Sequence, residues 1–337
     1  MMRYRSKVLA LSVAIVALLA IWALGLVFSP LSVEARSEMG SLLRGTVAEA
    51  ASVELGGAGS VSLARQNDSW FFVDASRRFP AQSKRVEDFL KALSDVKSLK
   101  PLAHSTSAWA GLGLDEGKAK SILVKDASGR TMADLRVGGY GPTGSDIYIR
   151  RIGSNESYAV DSSFAAYLDY GRSGWLDLRV MPQLPATDVQ SISVNADLPL
   201  DGPHMPHLKL DYRLTRAGQG WTGLIGGVEA STADTMVRSV LAIEAADYVA
   251  APPSDAFEPV TARVELNLGA GGSKVLEIGR PIVMPAPATS ASPSSPAGAA
   301  PENRFYARLA GSPYIFAMSA YSLRAALKTP AQLLPKK

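Results

Sequence analysis

The stretch VSLARQNDSWFFV, residues 61–73, decides the fold. Val61 to Arg65 and Trp70 to Val73 are short alternating runs rich in β-branched and aromatic residues. Asn67 and Asp68 between them tolerate the backbone that a tight hairpin needs. The chain then repeats itself. Ser52 to Leu55 precedes this hairpin as Ser191 to Val194 precedes another, in which Leu208 to Arg216 turns through Gly218 to Gly220 into Trp221.

Each hairpin leads into one amphipathic helix. Ser83 to Leu99 carries Val86, Phe89, Leu90, Leu93 and Val96 at helical spacing, and Ser231 to Tyr248 carries Met236, Val237, Val240, Leu241 and Ile243. Ser83 and Ser231 are placed as N-caps. Two strands follow in each copy, Ser121 to Val124 with Leu135 to Gly138, and Ala262 to Leu268 with Val275 to Gly279, so that LRVG in the first echoes LEIG in the second. A closing hairpin and short helix are Ile147 to Arg151, Ser157 to Val160 and Ser162 to Leu168 in the first copy. The second has Arg304 to Leu309, Tyr314 to Met318 and Ser319 to Leu327. Tyr148 falls level with Tyr306, and Tyr158 with Tyr314. Seven elements recur in one order, which predicts an α+β fold of two tandem related repeats, each with antiparallel hairpins and one main amphipathic helix. The repeats are placed at residues 46–182 and 183–330, with a tail at 331–337.

Within the second repeat, MPAPATSASPSSPAGAAP (284–301) has 18 residues, five of them proline and none charged. Such composition builds no core and is expected as a loop between two strands.

Ahead of the repeats, Val8 to Phe28 reads VLALSVAIVALLAIWALGLVF, 21 residues without a charge. At about 1.5 Å per residue it covers a hydrocarbon core of roughly 30 Å. Arg3, Arg5 and Lys7 precede it, whereas Glu34, Arg36 and Glu38 follow with mixed sign. The expected order is therefore a cytoplasmic tail (1–7), a transmembrane helix (8–28) and a linker (29–45), with both repeats extracytoplasmic. A bacterial cytoplasmic (inner) membrane with a periplasmic pair of repeats fits this order. A signal peptide cut before Arg36 is the competing reading, but signal cores of about 7–15 apolar residues are shorter than this run.

Composition narrows the function. Of 35 basic residues, five lie in the terminal tails, leaving 30 against 31 acidic ones, so the body of the chain offers no basic footprint for nucleic acid. There is no cysteine, which removes disulfides, thiolate metal sites, a cysteine nucleophile and a lipidated cysteine.

The motifs that suggest chemistry have structural readings too. Gly139, Gly141 and Gly144 have the GxGxxG spacing, but Pro142 interrupts it and a strand rather than a helix follows. His204 and His207 flank a proline with only His104 as a further histidine, short of a zinc set. Asp115 and Glu116 read as a solvated turn, and Glu258 stands alone. Trp70 and Trp221, with Tyr148 and Tyr306, are the candidate interaction or core aromatics; repetition at matching sites favours the core for the tryptophans. No catalytic residue, no metal and no cofactor is expected.

Trp70, the helix containing Val86-Glu87-Asp88-Phe89-Leu90, Gly113-Leu114-Asp115 leading into Ser121 to Val124, Leu135 to Gly138 and Asp146 to Arg150 resemble the uncharacterised bacterial family called domain of unknown function 4340. Trp175-Leu176-Asp177-Leu178-Arg179-Val180 resembles its Trp-x-Asp-x-Arg segment. The resemblance covers most of residues 47–184 and the second copy more weakly, and the loop at 284–301 departs from it. It implies an extracytoplasmic accessory subunit, because members are commonly encoded beside ABC-type transport components of the gliding-motility kind. The expectation is a non-catalytic accessory or interaction protein with the bilayer and the proteins of such a complex as partners. The alternative is an extracytoplasmic small-molecule or polysaccharide binding module.

Overall fold

A computed structural model describes residues 38–335, with the exception of 58, 76, 200–206 and 283–302. The expected transmembrane helix at 8–28 and the loop at 284–301 lie outside the described residues, as do the tail at 1–7, most of the linker and His204. Among the described residues no helix is long and apolar enough to cross a membrane. The chain divides after Trp175 into two compact units.

The first unit contains β1 (Glu38–Met39), β2 (Ala50–Gly56), β3 (Val61–Gln66), β4 (Ser69–Asp74), β5 (Arg77–Pro80), α1 (Ser83–Asp95) and β6 (Ser98–Ala103). After these come α2 (Trp109–Leu112), β7 (Lys120–Asp126), β8 (Thr131–Tyr140), β9 (Asp146–Arg151), β10 (Ser157–Asp161) and α3 (Arg172–Trp175). The strands form one sheet in the order β1-β6-β10-β9-β8-β7-β2-β3-β4-β5. Asn67 and Asp68 both take positive φ, 47° and 62°, the backbone of a two-residue hairpin whose twist matches its strands.

Alternation sorts the sheet into two faces. Val53, Leu63, Phe72, Ile122, Val124, Leu135 and Val137 are buried, and α1 buries Val86, Phe89, Leu90 and Leu93 at the spacing of one helical stripe. Phe89 meets Trp175 edge-on, with ring centroids 5.8 Å apart.

The helix ends earlier than the periodicity predicts. Val96 is already extended, and Ser98–Ala103 forms β6 against β10. Pro101 cannot donate inside a helix, and the buried Val96 and Leu99 satisfy the spacing of a helix while serving a turn and a strand. Ser83 is not the cap either: Gln82 holds that position, and Ser83 Oγ accepts from the Trp70 backbone N–H at 3.0 Å.

The second unit contains β11 (Ser191–Leu198), β12 (Leu208–Ala217), β13 (Gly220–Thr222), α4 (Ala230–Leu241), β14 (Asp247–Tyr248), β15 (Ala262–Asn267) and β16 (Ser273–Pro281). It closes with β17 (Arg304–Leu309), β18 (Ile315–Ser319), α5 (Ala320–Ala326) and α6 (Pro330–Leu333). Its sheet order, β13-β12-β11-β15-β16-β17-β18-β14, is the order of the first sheet read from the other end once β1 and β5 are set aside. α4 buries Ala233, Met236, Val237 and Val240, the same stripe as α1. This helix also stops short of the expected Tyr248, which belongs to β14, and Ser231 donates to Glu229 from beyond the Glu229 cap position.

Register aligns the units residue by residue. Arg65 lies opposite Trp70 as Arg216 lies opposite Trp221. Tyr148 faces Ala159 across its hairpin as Tyr306 faces Ala317. Tyr158 is then level with Phe316, which corrects the match to Tyr314 read from sequence; Tyr314 lies two positions away and packs on Tyr248 at 5.6 Å. LRVG and LEIG coincide, with Leu135 opposite Ile122 and Leu276 opposite Val264.

The shared glycine has a steric reason. A Cβ at Gly138 would stand 2.3 Å from the Leu112 carbonyl oxygen, and one at Gly279 would stand 2.0 Å from that of Ala256. The connection from β6 to β7, and its counterpart from β14 to β15, crosses the sheet there on the face away from the helix.

Residues 177–180 go with the second unit, ahead of the 182/183 boundary read from sequence. Ala245 N–H donates to Leu178 O at 2.8 Å, Val180 N–H to Ile243 O at 3.2 Å, and Arg179 bridges to Glu244.

Candidate functional site

Trp70 and Trp221 are core residues, 1% and 4% exposed, on the helix side of their sheets. Trp221 Nε1 donates to Asp234 Oδ1 at 2.9 Å, Arg216 Nη2 donates to the same oxygen at 3.1 Å, and the Arg216 guanidinium lies 4.5 Å over the indole ring. In the first unit the matching helix position is Glu87, which is exposed. Trp70 Nε1 and Arg65 Nε are buried with no hydrogen-bond partner among the described residues, while Arg65 Nη1 donates to Ala48 O at 2.9 Å. Tyr148 and Tyr306 are half-buried on the opposite sheet face, so the four aromatics do not form one site.

That opposite face carries a second repeated device. Arg150, 4% exposed, lies 3.9 Å from the Trp109 ring, and Arg308 at the same register lies 4.1 Å from the Phe257 ring. Both rings come from the connection that crosses the glycine. In the second unit Glu277 sits between two cations, 3.3 Å from Arg263 and 2.7 Å from Arg308, with only 14% of its side chain exposed. The matching residues of the first unit are Ser121, Arg136 and Arg150. Burial, and then the charge of Arg136, pushes the Arg150 guanidinium pKa down, against the pull of Glu116, Asp115 and Asp134.

A cleft opens in the second unit. It encloses about 550 Å³ at the C-terminal end of α4. Leu184, Pro185, Leu241 and Ala242 give it apolar walls, and Arg179, Arg238 and Glu244 a charged rim. Arg179 donates to both oxygens of Asp177, Nε at 2.8 Å and Nη2 at 2.6 Å, and this carboxylate raises the Arg179 pKa. The Asp177 carbonyl oxygen accepts from Tyr248 Oη at 2.6 Å, which fixes the segment against β14. The Trp-x-Asp-x-Arg pattern therefore places a clamped arginine at the mouth of this cleft. Arg238, in the last turn of α4, complements the helix dipole. Two segments distant in sequence, 179–186 and 238–244, meet here, and the sequence marked the first of them only through the Trp-x-Asp-x-Arg resemblance.

The other sequence candidates stay apart. Gly139 lies in β8 and the strand β9 follows Gly144, so no helix N-terminus meets that loop. His207 contacts Asp197, and among the described residues no three His, Asp or Glu side chains are grouped to hold a metal. Asp115 and Glu116 form a turn in which the Asp115 carbonyl accepts from Lys118 and Ala119 N–H, and Glu258 is exposed.

A family profile described as Domain of unknown function (DUF4340) matches residues 70–264, more than half of the chain. No curated protein and no solved structure matches it.

Proposed function

The chain belongs to the family described as Domain of unknown function (DUF4340), and from there we propose that it is a membrane-anchored, extracytoplasmic, non-catalytic accessory protein of an ABC-type transporter or another envelope complex. The observation that carries this reading is the uncharged run Val8 to Phe28 behind Arg3, Arg5 and Lys7, which ties the rest of the chain to the outer surface of the bilayer. The cleft edged by Arg179, Arg238 and Glu244 supports it, since an apolar patch with a charged rim is the anatomy of a protein contact. Extraction of the tagged full chain in mild detergent is expected to bring down a permease and its ATPase. Recovery of a clean monomer, with Arg238→Glu behaving as the unchanged protein, overturns the reading.

A second reading is a binding module for a small molecule or a polysaccharide. The cleft volume favours it, because ligand pockets run from about 300 to 1,000 Å³. An oligosaccharide that raises Tm only while the cleft is intact would decide for it.

A further inference from the structure

The two units share register, so each strand position of the common eight-stranded order has a counterpart in the other unit. On the face away from the helix, Asn195, Arg263 and Glu277 of the second unit occupy the places of Gly56, Ser121 and Arg136 in the first. In the second unit the Glu277 carboxylate stands between Arg263 and Arg308 and pairs with both. In the first unit the carboxylate is gone. Two arginines, Arg136 and Arg150, lie directly opposite one another, a cross-strand pairing that costs stability when nothing of opposite charge joins it. Neither makes an ion pair among the described residues.

The same place is hollow. A cavity of about 520 Å³ is lined by Gly56, Glu116, Lys118, Lys120, Ser121 and Arg136. A Cβ at Gly56 would stand 2.3 Å from Ser121 Oγ, so glycine leaves that hydroxyl its present rotamer, turned toward the cavity lining. Lys120 is bound to Asp169, whereas Lys118 and Arg136 have no ion-pair partner among the described residues. Glu116, exposed on the rim, is the one carboxylate among the lining residues, Asp115 and Asp134 act on Arg150 from beyond it, and buried Arg150 adds a further positive charge beside Arg136.

We propose that this cavity binds a carboxylate group of an acidic ligand, held by Arg136 and Lys118 with a hydrogen bond from the Ser121 hydroxyl. The external carboxylate restores the neutralisation that Glu277 supplies internally in the second unit. Arginine suits this role because its planar fork matches a carboxylate in two parallel bonds. The site is distinct from the cleft at Arg179 and does not depend on what that cleft binds.

The test uses the full chain in detergent micelles and follows thermal unfolding with triglutamate peptide at millimolar concentration, against triglutamine at matched ionic strength. The expected result is a rise in Tm of about 2 °C with triglutamate alone. Arg136→Gln is expected to abolish that rise. Arg136→Glu, which recreates the Glu277 arrangement opposite Arg150, is expected to melt above Arg136→Gln without peptide and to ignore triglutamate. No triglutamate-specific rise, or a rise that survives in Arg136→Gln, overturns the proposal. So does an Arg136→Glu protein less stable than Arg136→Gln. A rise with inorganic phosphate but none with triglutamate replaces the carboxylate by a phosphoryl ligand and equally overturns it.

Discussion

The indole N–H of Trp221 and the guanidinium of Arg216 converge on one oxygen of Asp234, at 2.9 Å and 3.1 Å. Removing that oxygen strands the Trp221 indole N–H and takes from Arg216 its carboxylate partner, leaving it the Val189 and Ala186 carbonyls. Asp234→Ala is therefore expected to cost the second unit about 1–3 kcal/mol, read as a lower urea midpoint. Glu87→Ala, at the matching but solvent-facing place, is expected to stay within about 0.5 kcal/mol of the unchanged protein. Equal losses at the two sites would contradict the asymmetry between the units.

Gly138→Ala and Gly279→Ala each drive a methyl group into a backbone carbonyl oxygen rather than into a yielding side chain. A destabilisation of about 1–3 kcal/mol is expected in each case. Hydrogen exchange should localise the effect, with faster exchange in residues 104–119 for the first variant and 249–261 for the second. Unchanged exchange in those connections would show that they do not rest on the glycines.

Tyr212 and Tyr248 are buried, and their hydroxyls donate to Lys328 O and Asp177 O, each at 2.6 Å. Burial pushes both phenol pKa values up, because the ionised form cannot be solvated there. A raised folded pKa gives a contribution fully present below the unfolded value of about 10 and lost as pH climbs from there toward the folded value. Stability from urea melts should thus hold to about pH 10 and fall beyond it. Tyr212→Phe with Tyr248→Phe should flatten that alkaline fall while lowering neutral-pH stability by about 1 kcal/mol per lost hydrogen bond.

The ends of the loop at 284–301 are joined without it. Ile282 N–H donates to Arg304 O at 2.7 Å, and Pro281 lies opposite Phe305. Since loop-closure cost changes by only about 0.6 kcal/mol per doubling of length, a four-residue turn replacing residues 283–302 should shift stability by roughly 1 kcal/mol or less. A loss of several kcal/mol would mean the loop contributes to the packing of the unit.

What was legible in the sequence is local or repeated. Asn67-Asp68 announced its hairpin, and the LRVG and LEIG phrases announced the common sheet. β6 and β14 were hidden because Val96, Leu99 and Ile243 continue the helical stripe in spacing while belonging to the turns and strands beyond the helix ends. Tyr158 and Tyr314 share a letter but not a register; the strand opposite, where Ile149 and Ala307 lie, pairs Tyr158 with the place of Phe316. The charge exchange between Arg136 and Glu277 stood in plain letters within those two phrases. Its meaning lies in the register, which sets Arg150 opposite Arg136 and Arg308 opposite Glu277.

The outermost strands of both sheets are short. β1 and β14 have two residues each and β13 has three, while β5 has four, begins Arg77-Arg78 and ends on Pro80. An unpaired strand edge is a template on which another chain can add a strand, and brevity, positive charge and proline each spoil that template. Wherever copies of the chain meet at high local concentration, these blunted borders oppose edge-to-edge joining of sheets into fibrous aggregates.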